Sequence, residues 1–125
     1  FKLSTLPQGK SVQLLELSRQ PMPESSADMT AALTSYASFD PEPSLCEDVF
    51  SIDTQDTAIT ITNISGSDIT GQIYVYYKSA YGDLYIGGIT YRTGVEGLAA
   101  GQSTTLYANH YSTDYSEIVF VSYVQ

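Results

Sequence analysis

Tryptophan is absent from this chain of 125 residues, histidine and cysteine occur once each, and lysine and arginine together number five. Each scarcity closes a class of function. A single cysteine, Cys46, admits no disulfide within the chain, and a buried or half-buried free thiol is the expectation. One histidine, His110, and one cysteine cannot fill a tetrahedral zinc site. Five cations against fourteen acids leave a formal net charge of −9. Nucleic-acid binding rests on phosphate neutralisation by Lys and Arg, and anionic membrane surfaces attract the same residues, so the composition argues against both partners. No run approaches the ~20 apolar residues of a transmembrane helix, and no signal-peptide pattern opens the chain. The first residue is Phe1 rather than Met, as in a chain relieved of a leader or membrane anchor, or in one simply trimmed.

Catalytic patterns are missing too. A Ser–His–Asp reading would draw on His110, Asp114 and one of Ser103, Ser112 or Ser116, but there is no G-x-S-x-G elbow. His110 reads instead as a surface residue at a strand end. Glu47, Asp48, Asp53 and Asp56 carry hard oxygen ligands suited to calcium, yet no D-x-D-x-D-G loop contains them. They read as turn-forming, solvated acids, and neither metal nor cofactor is expected. A glycosidase needs two carboxylates facing each other across a cleft, and nothing singles out a pair. Asn63 in "NIS" fits the N-glycosylation pattern, a match common by chance. The acidity itself reads as solubility.

What is present is a globular composition, 42% apolar, in a length typical of one domain. Residues 1–19 are expected to form an N-terminal strand, read from "GKSVQLLELSR". There Val12 and Leu14 share one face, and Leu15 and Leu17 the other. Residues 20–47 form an irregular segment: "QPMPESS" is a linker. "SSADMTAALTSYASF" has the makings of one short helix between Ser26 and Phe39, with Met29, Leu33, Tyr36 and Ala37 on one face. "DPEPS" then ends any helix.

Residues 48–125 are β throughout. "DVFSID" is a short strand. "TAITIT" alternates, with Ile59 and Ile61 inward and Thr60 and Thr62 outward. "NISGSD" is a turn. "ITGQIYVYYK" places Ile73, Val75 and Tyr77 on one face and Tyr74, Tyr76 and Lys78 on the other. "SAYGD" is a hairpin turn, and "LYIGGITYR" returns antiparallel, with a bulge or bend at Gly87–Gly88. "TGVEGLAAGQ" reads as a crossing loop that plugs Leu98 into the core. "STTLYANHY" and "SEIVFVSYV" are the last strands, the latter apolar on both faces. About seven strands with turns at sandwich-like spacing predict an all-β, antiparallel sandwich in a single domain.

The stretch from Tyr74 to Tyr91 carries six of the eleven tyrosines. Aromatic residues favour strands because they pack on pleated, half-buried surfaces, so this stretch is in the first instance sheet. Lysine is rarely buried, which makes the Tyr74–Tyr76–Lys78 face the solvent face. Tyr74 and Tyr76, with Tyr85 or Tyr91 across the hairpin, would then line a flat aromatic strip. Such a strip suits sugar stacking or a protein interface.

"AITITNISGSDITGQIYVYY" and "VEGLAAGQSTTLYA" resemble segments of bacterial extracellular immunoglobulin-like sandwich domains. The first is similar to their strand–turn–strand, in which T-x-T-N-x-S/G ends a strand. The second is similar to the GL-x-x-G-Q/E-S/T loop that inserts a leucine. "YVYYK", "GDLYIGGITYR" and "SEIVFVSY" also resemble uncharacterised secreted or surface-anchored proteins of gut Firmicutes, with "EPSLCEDVF" as the junction into the sandwich. The resemblance covers about the last two thirds of the chain. It implies an immunoglobulin-like fold and an extracellular or cell-surface location, and no activity. The expected function is a non-catalytic binding or interaction module with a protein or carbohydrate partner. A structural spacer is the alternative, and an enzyme comes third.

Overall fold

Alternation of Ile with Thr, and of Ile and Val with Tyr, determines two sheets and the core between them. The computed structural model describes residues 2–14, 31–38 and 43–125. Among these, all regular structure is β, in eight strands: β1 (Ser11–Gln13), β2 (Phe50–Gln55), β3 (Ala58–Asn63), β4 (Ile69–Tyr81), β5 (Leu84–Ile86), β6 (Tyr91–Leu98), β7 (Ser103–Tyr107) and β8 (Ser116–Tyr123). No helix among the described residues is long and apolar enough to cross a membrane.

One sheet has the order β2-β3-β7, antiparallel throughout. In the other, β4 is central, with β6 on one side and β8 on the other, both antiparallel. The sheets meet through their inward residues: Phe50, Ile59, Ile61 and Leu106 from the first, and Ile73, Val75, Tyr77, Leu98 and Val121 from the second. A T-shaped contact between Phe50 and Tyr123, with centroids 5.3 Å apart, ties β2 to β8.

The N-terminal residues extend the second sheet. β1 lies parallel to β5, Ser11 to Gln13 against Leu84 to Ile86, and β5 pairs with the end of β4. The sandwich is therefore antiparallel except for this one short pairing. The expected strand over "GKSVQLLELSR" is three residues long where described; Leu15 and Leu17 lie outside the described residues. Residues 31–38 are non-helical and exposed, so the expected helix is not formed over that part of its span. Its start at Ser26, Met29 and its end at Phe39 lie outside the described residues.

Two further expectations are corrected. "LYIGGITYR" is not one strand, because the chain leaves the sheet between Ile86 and Tyr91. "TGVEGL" is not a loop but most of β6, and the loop is confined to residues 99–102. Leu98 is nonetheless buried, as expected of a core plug, but from a strand end.

Asn63 joins the two segments on which the family resemblance rests. It is fully buried at the end of β3. Its amide nitrogen donates to the carbonyls of Ser67 (2.8 Å) and Leu98 (2.9 Å), and its Oδ1 accepts from the Ser65 amide (3.0 Å) and hydroxyl (2.7 Å). Its backbone N–H donates to Gln102 O, and its carbonyl accepts from Gly101 N. Every hydrogen-bonding group of the residue is used, which satisfies a buried amide at two turns at once. The same burial removes Asn63 as a glycosylation acceptor in the folded chain. Asn63→Ala would remove the side-chain partner of the Leu98 carbonyl and of the Ser65 N–H, and would leave the Ser67 carbonyl with only the Ser65 hydroxyl. Urea titration should show a loss of about 2–4 kcal/mol, the range for orphaning several buried polar groups, whereas the exposed Ser67→Ala should change stability by under about 0.5 kcal/mol.

Candidate functional site

The pleat of β4 sends Ile73, Val75 and Tyr77 into the core and turns Tyr74 and Tyr76 to the other face, where both are half-buried. What surrounds the two tyrosines follows from register. Tyr74 is paired with Gly94 on β6 and Ser122 on β8, and Tyr76 with Arg92 and Phe120. The Tyr74 ring lies over β6. A side chain at Gly94 would meet its Cδ1 at 2.7 Å and the backbone of Ile73 closer still, so only glycine fits there. The Arg92 guanidinium sits over the same ring, 4.4 Å from its centroid. Tyr76 turns the opposite way and stacks on Phe120, with centroids 4.1 Å apart and planes 13° from parallel. The Tyr74 and Tyr76 rings are 6.2 Å apart and tilted by 60°. The face is therefore Arg92–Tyr74–Tyr76–Phe120 across three strands, with Gln72 and Glu96 at its margin.

Of the four tyrosines expected to line the strip, two do. Tyr85 is 1% exposed and belongs to the interior. Tyr91 lies opposite Tyr77, on the inward parity, stacked between Tyr77 (5.7 Å) and His110 (4.5 Å). Tyr85, opposite Ala80, keeps the face of Tyr74 and Tyr76 but is covered beside Lys78, whereas for Tyr91 the reason is a slip in register. The hairpin begins with Tyr81 against Leu84 and Ala80 against Tyr85. Continued without interruption, that register would set Tyr91 against Tyr74; the excursion through Gly87–Thr90 places it against Tyr77 instead. A shift by an odd number of residues exchanges the faces. Phe120 and Arg92 were not among the expected site residues. Phe120 becomes visible only once β8 is known to pair with β4, a contact 44 residues distant in sequence.

Lys78 overturns the argument that assigned this face to solvent. It is fully buried. Its Nζ donates to Ile89 O (3.2 Å) and Thr90 Oγ1 (3.1 Å) and lies 5.8 Å from the Tyr85 ring centroid. Burial pushes its pKa down from the usual lysine value. The same face of β4 is thus open at Tyr74 and Tyr76 and closed at Lys78, because the N-terminal residues and the 87–90 excursion cover its far end. Burial, and then the Glu117 carboxylate that accepts from its phenol, push the Tyr85 pKa up. Burial raises that of Tyr77 as well.

The remaining candidates fall apart as sites. His110 is exposed and stacks on Tyr91, while the Ser116 hydroxyl bonds the Ser112 N–H and the His110 carbonyl, so these residues form no triad. Cys46 is a free, half-buried thiol whose Sγ lies 3.6 Å from Val121 O. Burial, with Asp48 nearby, raises its pKa, which opposes thiolate reactivity. Among the described residues no three His, Cys, Asp or Glu side chains gather where a metal ion would be held. A cleft of about 210 Å³ between β2 and β8 is lined by Leu45, Glu47, Phe50, Ile52, Thr54 and Ile118. It is below the roughly 300–1,000 Å³ of ligand pockets and brings one carboxylate to a mainly apolar wall. No protein-family model, curated protein or solved structure matches the chain.

The buried phenols set an alkaline limit. Tyr77 and Tyr85 hold their protons more tightly folded than unfolded. Their contribution is complete below about pH 10, the unfolded tyrosine value, and is lost as pH rises above it. Lys78 has the opposite sign, its penalty on the folded state relaxing with rising pH up to about 10.4, the unfolded lysine value. The melting temperature should therefore fall steeply only beyond about pH 10.5. Tyr85→Phe should flatten that fall; an unchanged slope in the variant would contradict the assignment.

Proposed function

We propose that this chain is a non-catalytic interaction module that engages a protein partner through the outer face of the β6-β4-β8 sheet. The observation that carries the reading is the contrast between the two outer faces. On β2-β3-β7 the outward residues are Ser51, Asp53, Gln55, Thr60, Thr62, Ser103 and Thr105, with a single aromatic, Tyr107, at the end of β7, and with hydroxyls paired across strands at 3.2 Å (Thr60–Thr105) and 2.7 Å (Thr62–Ser103). On β6-β4-β8 they are Tyr74, Tyr76, Phe120 and Arg92, clustered across three strands, with Gln72, Glu96 and Ser122 beside them. Tyr and Arg are among the residues enriched at binding hot spots. Sugar platforms need open ring faces. Here Phe120 occupies one face of Tyr76 and Arg92 one face of Tyr74, leaving ring edges, hydroxyls and a guanidinium, which favours a protein surface over a carbohydrate.

An extracellular or cell-surface setting follows from the resemblance to immunoglobulin-like domains. The strand order supports that resemblance: the β2-β3 hairpin joins β7 in one sheet, and β4 lies between β6 and the last strand, β8, in the other. A structural spacer is the second reading, favoured by the same stacking, since the rings already satisfy one another. A photo-crosslinking residue at exposed Glu96 on the aromatic face, compared with one at exposed Thr105 on the polar face, separates the two on the surface of the source cell. The interaction module predicts protein adducts from position 96 that are lost with Arg92→Ala, and none from 105. Absence of adducts from both positions, or equal adducts from both, would favour the spacer.

A further inference from the structure

The N-terminal strap, residues 2–13, lies in a groove on the second sheet. The groove is formed by β5, the 87–90 excursion and the rim at Glu117. Ser4 N donates to Gly88 O (2.9 Å), and Ser4 Oγ lies 3.0 Å from the same carbonyl and 2.7 Å from Thr90 Oγ1, the atom that caps Lys78. At Gly88 the strap backbone approaches so closely that any side chain would strike Lys2 O. Further along, β1 pairs with β5, Gly87 N donates to Gln13 O (2.7 Å), and Lys10 meets Glu117 at 3.4 Å. Beneath lie Lys78 and Tyr85, at 0% and 1% exposure. These contacts constitute recognition of an extended peptide by strand addition, with a hydroxyl residue at the place of Ser4 and a cation at the place of Lys10.

Two features separate the strap from the body it binds. Thirty-six residues lie between Gln13 and Phe50, so no tight connection dictates its docking as a hairpin turn would. Its charge is also opposite: it holds two of the five cations and none of the fourteen acids, a formal +2, leaving the rest of the chain, with three cations, at −11. A positive segment released from one copy is attracted to the same groove on another.

We infer that the groove is a peptide-binding site that accepts the N-terminal strap of a second copy of this chain, so that copies associate by strap exchange. This goes beyond the aromatic face and uses none of its residues. Exchange of an identical element recreates the contacts of the closed monomer between copies.

The test uses the full chain with Cys46→Ser throughout. Gln13 and Ile86 are register partners and both exposed, so cysteines at these positions fall within disulfide reach. The double variant Gln13→Cys/Ile86→Cys should close within the monomer at low concentration. A mixture of the two single variants should give a 13–86 heterodimer. Its yield should exceed the 13–13 and 86–86 products several-fold, rise with protein concentration, and fall with added salt or with a synthetic peptide of residues 2–13. Closure of the double variant with no excess of heterodimer in the mixture would overturn exchange. Failure of the double variant to close would overturn the groove itself.

Discussion

One strand carries the architecture. β4 runs for 13 residues and touches both faces of its sheet, so a single pleat decides what is core and what is surface. Ile73, Val75 and Tyr77 must face the first sheet for the two to pack at all, and Tyr74 and Tyr76 are then committed to the other side. Every other strand of the second sheet takes its position from this one: β6 and β8 flank it, β5 turns back from its end, and β1 is added to β5. The aromatic face is a consequence of the core.

The same strand explains why its outer face changes character along its length. Toward β8's end the rings of Tyr74 and Tyr76 find Arg92 and Phe120. One residue pair further on, the face is roofed over, and Lys78 is held by a carbonyl and a threonine hydroxyl. Burying an ammonium group is costly unless hydrogen bonds satisfy it. The excursion at residues 87–90 supplies those bonds, and Ser4 in turn bonds that excursion. The strap, the break between β5 and β6, and the buried lysine are therefore linked: Ser4 bonds Gly88 and Thr90, and Thr90 bonds Lys78.

Local alternation made most of the fold legible. The strands at "TAITIT" and "ITGQIYVYYK" are legible because a period of two with β-branched and aromatic residues has few other meanings, and "SEIVFVSYV" as a short β-branched and aromatic run that is apolar on both faces. That alternation places Ile59, Ile61, Ile73, Val75 and Tyr77 inward, and all five are buried. Nonlocal facts were not legible. The three-residue slip after Gly87 exchanged the faces of Tyr91, and the pairing of β8 with β4 brought in Phe120; neither is written in a window of ten residues. Lys78 failed for a different reason. The rule that lysine avoids burial is statistical, and a strap distant in sequence supplied the cover. The resemblance pointed to two segments by pattern alone, and the physical link between them, Asn63, emerged only in three dimensions.

The division of β4 into a core face and a partner face is most directly tested by denaturant unfolding of Tyr77→Ala beside Tyr76→Ala. The two residues are adjacent, chemically identical and on opposite faces. Tyr77 loses a fully buried ring, and its removal should destabilise by about 3–5 kcal/mol. Tyr76 loses one stacked contact on a half-exposed surface, and its removal should cost about 1 kcal/mol. Equal losses, or a larger loss at Tyr76, would contradict the account, because the aromatic face would then be interior and unable to meet a partner.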